Sequence, residues 1–180
     1  MPFSFEQTPL EGVVTIQPRR FPDERGWFQE AYKESDFQKA GLPTKFLQDN
    51  LSRSSRGTLR GLHFQRGVHA QGKLVQVLAG AVWDVAVDLR PDSPSFGRWF
   101  GVELSAENYK LFYIPPGFGH GFVTLQDNTL FSYKCTAEYN KAAEGGVLWN
   151  DPDLAIDWPL TDVLVSPKDA ALPSLKAAEL

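Results

Sequence analysis

From Lys73 to Thr136 the chain is cut into short apolar runs by glycine, proline and asparagine, and this spacing constrains the fold more than any other feature. Leu74-Val75-Gln76-Val77-Leu78 and the run from Val82 to Leu89 flank Ala79-Gly80-Ala81 and read as a hairpin. Further strands are expected at 99–104, 111–114, 121–125 and 129–136, with turns at Pro91-Asp92-Ser93-Pro94 and Gln126-Asp127-Asn128. Nearer the N-terminus, Gly12–Ile16 reads as a strand, Phe21–Gly26 as a turn and Trp27–Tyr32 as extended chain. Gln48-Asp49-Asn50-Leu51-Ser52 is polar and reads as a loop. Ser35 caps a short helix that Gly41-Leu42-Pro43 stops, and Ser166-Pro167-Lys168-Asp169 opens another. The whole is an all-β pattern, a sandwich or barrel with a few short helices.

A chain of 180 residues is expected to form one domain, spanning 1–180, with a sizeable core. Its composition, 42% hydrophobic and 22% charged, is ordinary for a soluble protein. No apolar run approaches the ~20 residues needed to span a bilayer, and no membrane role is expected. Met1-Pro2-Phe3-Ser4-Phe5-Glu6 lacks the basic and apolar regions of a signal peptide, and cytoplasmic residence is the expectation. The single cysteine, Cys135, excludes an internal disulfide and a multi-cysteine zinc site. A net charge of −4 gives no support for nucleic-acid binding, which needs a broadly basic face.

Against that acidic balance, the stretch from Asn50 to Trp83 contains no Asp or Glu, while Arg53, Arg56, Arg60, Arg66 and Lys73 all fall within it. Two of the three histidines, His63 and His69, lie there too. Converging positive groups in a water-poor cleft bind anions. The expectation is a site for a phosphorylated substrate with a histidine base at its centre.

The spacing of this stretch resembles the cupin family, a small jelly-roll β-barrel. Gly61 and Gly80 take the places of the two glycines in the first cupin motif, and His69 that of its second histidine. Gly67 replaces the first histidine and Lys73 the glutamate; the second motif is met by Pro115-Pro116-Gly117-Phe118-Gly119-His120. An ammonium where a metal-binding carboxylate belongs is electrostatically hostile to a divalent cation, so a metal-free cupin is expected.

A narrower resemblance rests on an ordered set of motifs. Phe21-x-Asp23-x-Arg25-Gly26-x-Phe28-x-Glu30, Gln48-Asp49-Asn50, Arg60-Gly61-Leu62-His63-Phe64-Gln65, Gln71-Gly72-Lys73-Leu74-Val75, Gly119-His120-Gly121-Phe122 and Tyr133-Lys134-Cys135-Thr136 follow one another. Together they resemble the dTDP-4-dehydrorhamnose 3,5-epimerase family, from about Pro9 to Asp169. Trp27 departs from that pattern, in which a smaller aromatic is common. The resemblance implies an isomerase that inverts C3 and C5 of a dTDP-4-keto-6-deoxyhexose on the route to dTDP-L-rhamnose, without metal or organic cofactor. It implies His63 as base, Asp169 as its partner carboxylate, Lys73 with Arg60 as stabilisers of an enolate, and Tyr133 as the acid on the opposite face of the sugar. It also implies substrate contacts from Arg25, Glu30, Gln48, Asp49, Asn50, His120, Glu144 and Lys168, with Phe28 and Tyr139 as stacking surfaces. Finally it implies a homodimer in which the N-terminal region of one subunit helps cover the other's site.

The residues taken singly leave alternatives open. Asp169, three residues after Ser166, equally suits a helix-capping box. Tyr133 alternates with Phe131 and suits a core position; His69 reads as exposed, without a role; Cys135 reads as a small buried apolar residue. The rival functions are a single-carbon epimerase of a related dTDP-4-keto sugar, a non-catalytic sugar-nucleotide-binding cupin, and a metal-dependent cupin that Gly67 and Lys73 disfavour.

Overall fold

The structure, a computed structural model, describes residues 2–180. Its first half contains β1 (Phe3–Gln7), β2 (Val14–Pro18), β3 (Arg20–Asp23), β4 (Gly26–Gln29), α1 (Glu34–Lys39), β5 (Gln48–Ser54), β6 (Thr58–Gln65), β7 (Lys73–Ala79) and β8 (Ala81–Asp88). The second half contains β9 (Trp99–Ser105), β10 (Leu111–Ile114), β11 (Phe118–Thr124), β12 (Thr129–Cys135), β13 (Glu144–Gly146), β14 (Leu164–Val165) and α2 (Pro167–Ala170).

Two sheets face one another. The first runs β1-β2-β10-β7-β12-β5 and the second β13-β6-β11-β8-β9, with β14 added in parallel to β6. All other pairings are antiparallel. The all-β jelly-roll expectation holds, but as two open sheets rather than a single closed barrel. Val75, Val77, Phe112, Ile114 and Phe131 from the first sheet pack against Val82, Ala86, Leu104, Phe118 and Phe122 from the second. Phe122 and Phe131 stack across the gap with centroids 4.2 Å apart.

Several sequence expectations need correction. β7 and β8 are not a hairpin: β7 pairs with β10 and β12, whereas β8 pairs with β11 and β9. The turn at Gly80, with φ 78, carries the chain from one sheet into the other, so that both apolar runs face the shared core. Gln48–Ser52 is not a loop but lies in β5, the edge strand of the first sheet. Its polar residues on one face turn toward the site and those on the other toward water, leaving no apolar alternation to read. The Phe21–Gly26 turn is narrower than expected, because Phe21–Asp23 belongs to β3 and Gly26 to β4. α1 begins at Glu34 with Lys33 at its N-cap and no side-chain cap, so Ser35 sits inside the first turn.

β8 is buried almost throughout because it lies inside the second sheet and packs on both faces. Asp88 ends it, fully buried. Burial works to raise its carboxyl, but Arg90 (2.7 and 2.9 Å), Ser93 (2.5 Å) and Ser95 (2.6 Å) donate to it and hold it far below the carboxylate range. That cluster pins the turn before β9.

Candidate active site

Strand register decides which side chains meet between the sheets. In the first sheet Cys135 stands opposite Lys73 and Gln48, Tyr133 opposite Val75 and Asn50, and Phe131 opposite Ser52. Directly opposed residues share a face and every second residue returns to it, so Lys73, Tyr133, Gln48, Asn50 and Ser52 all look inward. In the second sheet His120 stands opposite His63 and Ala86, while Phe122 stands opposite Arg60 and Asp84. His63, Arg60, His120 and Asp84 therefore face the first sheet. Two adjoining cavities, of about 350 and 320 Å3, share His63, Lys73 and Tyr133 as walls.

Asp169 arrives from outside both sheets. β14 runs beside β6 at Thr58 and Leu59, and α2 follows at once. Ser166 caps α2 by accepting from the Asp169 N–H at 3.0 Å. The Asp169 carboxylate does not return that cap. Oδ1 lies 2.9 Å from His63 Nε2, and Oδ2 accepts the Gly61 N–H at 3.2 Å. Burial tends to raise this carboxyl, but His63's hydrogen bond and charge and the Gly61 N–H outweigh it and leave it below the ordinary range. An ionised Asp169 draws the ring proton of neutral His63 to Nε2. Nδ1 has no partner among the described residues and is the free basic lone pair.

Lys73 is buried, with Nζ 3.5 Å from the His63 carbonyl and no carboxylate within 4.0 Å among the described residues. Burial pushes its pKa down, while Cys135 and Asp84 pull the other way. Tyr133 is pushed up by burial and further by Cys135, against Arg60, so its phenol keeps its proton through neutral pH. His120 Nε2 lies 3.0 and 3.1 Å from the two oxygens of Asp84. Burial lowers the His120 pKa; Asp84's charge and hydrogen bond oppose it, and Lys73 and His63 add to the lowering. Arg60 is positioned by Ser54 Oγ at 3.1 and 3.4 Å.

At the mouth, Glu144 accepts from Lys168 Nζ at 2.6 Å and from the Tyr139 hydroxyl at 3.0 Å. Tyr139 is 52% exposed, its backbone N–H held by Gln48 Oε1 at 2.7 Å.

The structure thus brings together His63, Lys73, Tyr133, Asp169, Arg60, Gln48, Asn50, His120, Tyr139, Glu144 and Lys168. It does not bring Asp49 in: alternation along β5 turns that side chain to the outer face, where it pairs with Lys134 at 2.8 Å. Arg25, Phe28 and Glu30 also stay outside. Arg25 pairs with Asp23 at the tip of the β3–β4 hairpin, Phe28 is 65% exposed on it, and Glu30 faces Lys33 at 3.9 Å. Sequence reasoning missed Asp84. The signal was present, since a carboxylate amid Val82-Trp83 and Val85-Ala86-Val87 falls where only a paired charge is tolerated. It also missed Gln71 and Gln65, which brace the chain on either side of Tyr139 through Ala137, Glu138 and Asn140.

A jelly-roll carrying on one sheet an imidazole paired with a carboxylate from the adjoining helix, and on the other a buried ammonium and a protonated phenol, is a fold and site of the cupin-type acid–base enzymes. The family model described as dTDP-4-dehydrorhamnose 3,5-epimerase matches residues 7–177. The dTDP-4-dehydrorhamnose 3,5-epimerase of Escherichia coli is 52% identical over 168 residues, 92% of this chain and 91% of that protein. The crystal structure of the same-named enzyme from Elizabethkingia anophelis superposes with a TM-score of 0.94 at 52% identity, covering 98% of each chain. The dTDP-6-deoxy-D-glucose-3,5-epimerase of Legionella pneumophila, solved in complex with dTDP-4-keto-L-rhamnose, gives a TM-score of 0.93 at 47% identity, covering 97% of this chain and 94% of that one. The chain belongs to the dTDP-4-dehydrorhamnose 3,5-epimerase family.

Proposed function

We propose that this enzyme inverts C3 and C5 of dTDP-4-dehydro-6-deoxy-D-glucose, giving dTDP-4-dehydro-L-rhamnose. Both carbons flank the C4 ketone, so each proton removed leaves an enolate whose charge rests on the C4 oxygen. His63 Nδ1 takes the proton from one face, and Asp169 at 2.9 Å stabilises the imidazolium that results. Lys73 and Arg60 carry the enolate charge. Preorganised donors of this kind are worth about 3–4 kcal/mol each in the barrier. Tyr133, on the facing sheet, returns a proton to the opposite face, which inverts the carbon. His63 then releases its proton to water and Tyr133 regains one, so each cycle balances. Written this way the reaction uses neither metal nor organic cofactor, and turnover is expected to survive exhaustive chelation.

The observation that carries the reading is the placement of the imidazole–carboxylate pair and the phenol on opposite walls of one space. A non-catalytic binding module has no use for that opposition. Glu144, Lys168 and Tyr139 at the mouth serve the nucleotide and diphosphate. Arg25, Phe28 and Glu30, outside the site of their own chain, serve the site of a second copy in a homodimer. The lone buried Cys135 suits the reducing cytoplasm. A proton NMR time course in deuterated water with dTDP-4-dehydro-6-deoxy-D-glucose tests the reading. Deuterium is expected at both C3 and C5 with formation of the L-sugar; exchange and inversion at one carbon alone would establish the single-carbon epimerase instead.

A further inference from the structure

Arg20, the first residue of β3, lies between two aromatic rings. Its guanidinium carbon is 3.8 Å from the Trp27 ring centroid and 3.8 Å from that of Tyr109. The guanidinium edges are fixed as well: Nε donates to Gln29 Oε1 at 2.8 Å, and Nη2 donates to the Ala106 carbonyl at 3.0 Å. Three separate pieces of chain meet there, namely β3, β4 and the turn between β9 and β10. Tyr109 holds φ 47, a left-handed conformation that a non-glycine residue adopts only against steric resistance. A planar guanidinium fills such a slot with both faces and its edge at once, which an ammonium cannot do.

The position of this stack gives it meaning. The β3–β4 hairpin is a sheet of its own, paired with neither large sheet. Phe21, Trp27 and Phe28 on it are 42%, 57% and 65% exposed, and Arg25 sits at its tip. A two-stranded ribbon without further pairing is marginally stable and swings freely unless tied down. Arg20 ties it to the body of the protein through Tyr109 and Ala106. The mouth of the cavity, for its part, shows an exposed Tyr139 ring, which matches the aromatic chemistry of the hairpin; its Glu144 carboxylate is already held by Lys168 and Tyr139.

We propose that Arg20, clamped between Trp27 and Tyr109, is a positioning residue that sets the angle of the β3–β4 hairpin, so that Arg25 and Phe28 meet substrate in the site of a second copy of this chain. The inference rests on the homodimer reading above. The clamp touches no reacting atom, so it acts on substrate binding and leaves the chemical step alone.

Steady-state kinetics of Arg20→Gln, Arg20→Lys, Tyr109→Ala and Tyr109→Phe, with sedimentation of each at assay concentration, test it. The first three are expected to raise KM about tenfold, the scale of one desolvated cation–π contact, with kcat within about threefold of wild type. Tyr109→Phe keeps the ring and is expected to match wild type. Arg20→Lys keeps the charge, so a wild-type KM there would show that charge alone suffices and would overturn the clamp. A kcat loss at unchanged KM, or wild-type kinetics in both Arg20→Gln and Tyr109→Ala, would overturn it too. Tyr109→Ala leaves the hairpin sequence intact, so the clamp stays testable even if the Arg20 variants fail to fold. Full activity from a monomeric wild type would instead remove the homodimer reading, independently of the variants.

Discussion

Arg60 and His63 lie three positions apart on β6 yet project into the same space. Side chains at odd separation on a regular strand point to opposite faces. Here Arg60 pairs with Phe122 and His63 with His120, so β6 spends one residue more than β11 between the two pairs. That β-bulge returns His63 to the face that holds Arg60. Gly61 makes it possible: its φ is 120, and a Cβ there would lie 2.6 Å from Gly121 Cα and 2.7 Å from the His120 carbonyl oxygen. Gly61→Ala is accordingly expected to lose about 2–4 kcal/mol of stability in denaturant unfolding, and most of its turnover. A loss below about 1 kcal/mol with normal activity would mean that the two strands can part without moving His63.

Lys73 sets stability against function. Burial lowers its pKa from the ordinary 10.5, so the folded chain gives up this proton more readily than the unfolded one. Between the lowered value and 10.5 the unfolded chain binds more protons, and stability rises with pH across that window. Below it, the full penalty of a buried charge is present. Lys73→Met removes the penalty, with an expected gain of about 1–3 kcal/mol at neutral pH. The same change should lower kcat on the order of 10²–10³-fold while sparing KM, because enolate charge exists mainly in the transition state. Wild-type kcat should fall on the alkaline side below pH 10.5, as the ammonium is lost. Equal losses in binding and rate would make Lys73 a diphosphate contact.

Asp169 and Ser166 have separable tasks. Ser166 Oγ caps α2, whereas the Asp169 carboxylate serves His63 and Gly61. Ser166→Ala is expected to cost about 1 kcal/mol with activity retained in the folded protein. Asp169→Asn is expected to slow turnover on the order of 10²-fold or more, with a modest fall in melting temperature at neutral pH, where the carboxylate's contribution is fully present. Because the Asp169 carboxyl is held below its ordinary value, its contribution to stability is fully present above about pH 4 and fades as the pH falls through the lowered one. The asparagine variant should therefore lose less stability on acidification than wild type. Clear destabilisation with full turnover would return Asp169 to a purely structural role.

In the proposed reaction the base and the acid control different halves. His63→Ala is expected to abolish both deuterium uptake at C3 and C5 and inversion, since no enolate forms. Tyr133→Phe keeps the base, the enolate donors and nearly the same volume but lacks the phenolic proton. It should still exchange hydrogen for deuterium, with configuration retained, as His63 returns a solvent-derived proton to the face it came from. Wild-type epimerisation by Tyr133→Phe would take Tyr133 out of the mechanism and leave Tyr139 or a water as the acid.

The sequence by itself determined the all-β class, because short apolar runs cut by Gly, Pro and Asn leave strands and turns as the economical solution. It also carried the identity of the chemical groups, through His63, Lys73, Tyr133 and the ordered motifs around them. Tertiary structure decided what those groups face. Whether β7 and β8 pair or part depends on where the chain finds its packing partner, and the facing apolar surfaces sent them to different sheets. Gln48–Ser54 became a strand because β12 offered its edge, not because its own residues favour one. Whether the Asp169 carboxylate caps its own helix or reaches His63 was open in the sequence, since Ser166 stands at the right spacing for either; β14 running beside β6 brings it to His63. Asp49 shared a motif with its neighbours and was turned outward by the period of two. Local pattern reports which face a residue favours, while register between distant strands fixes which residues share that face.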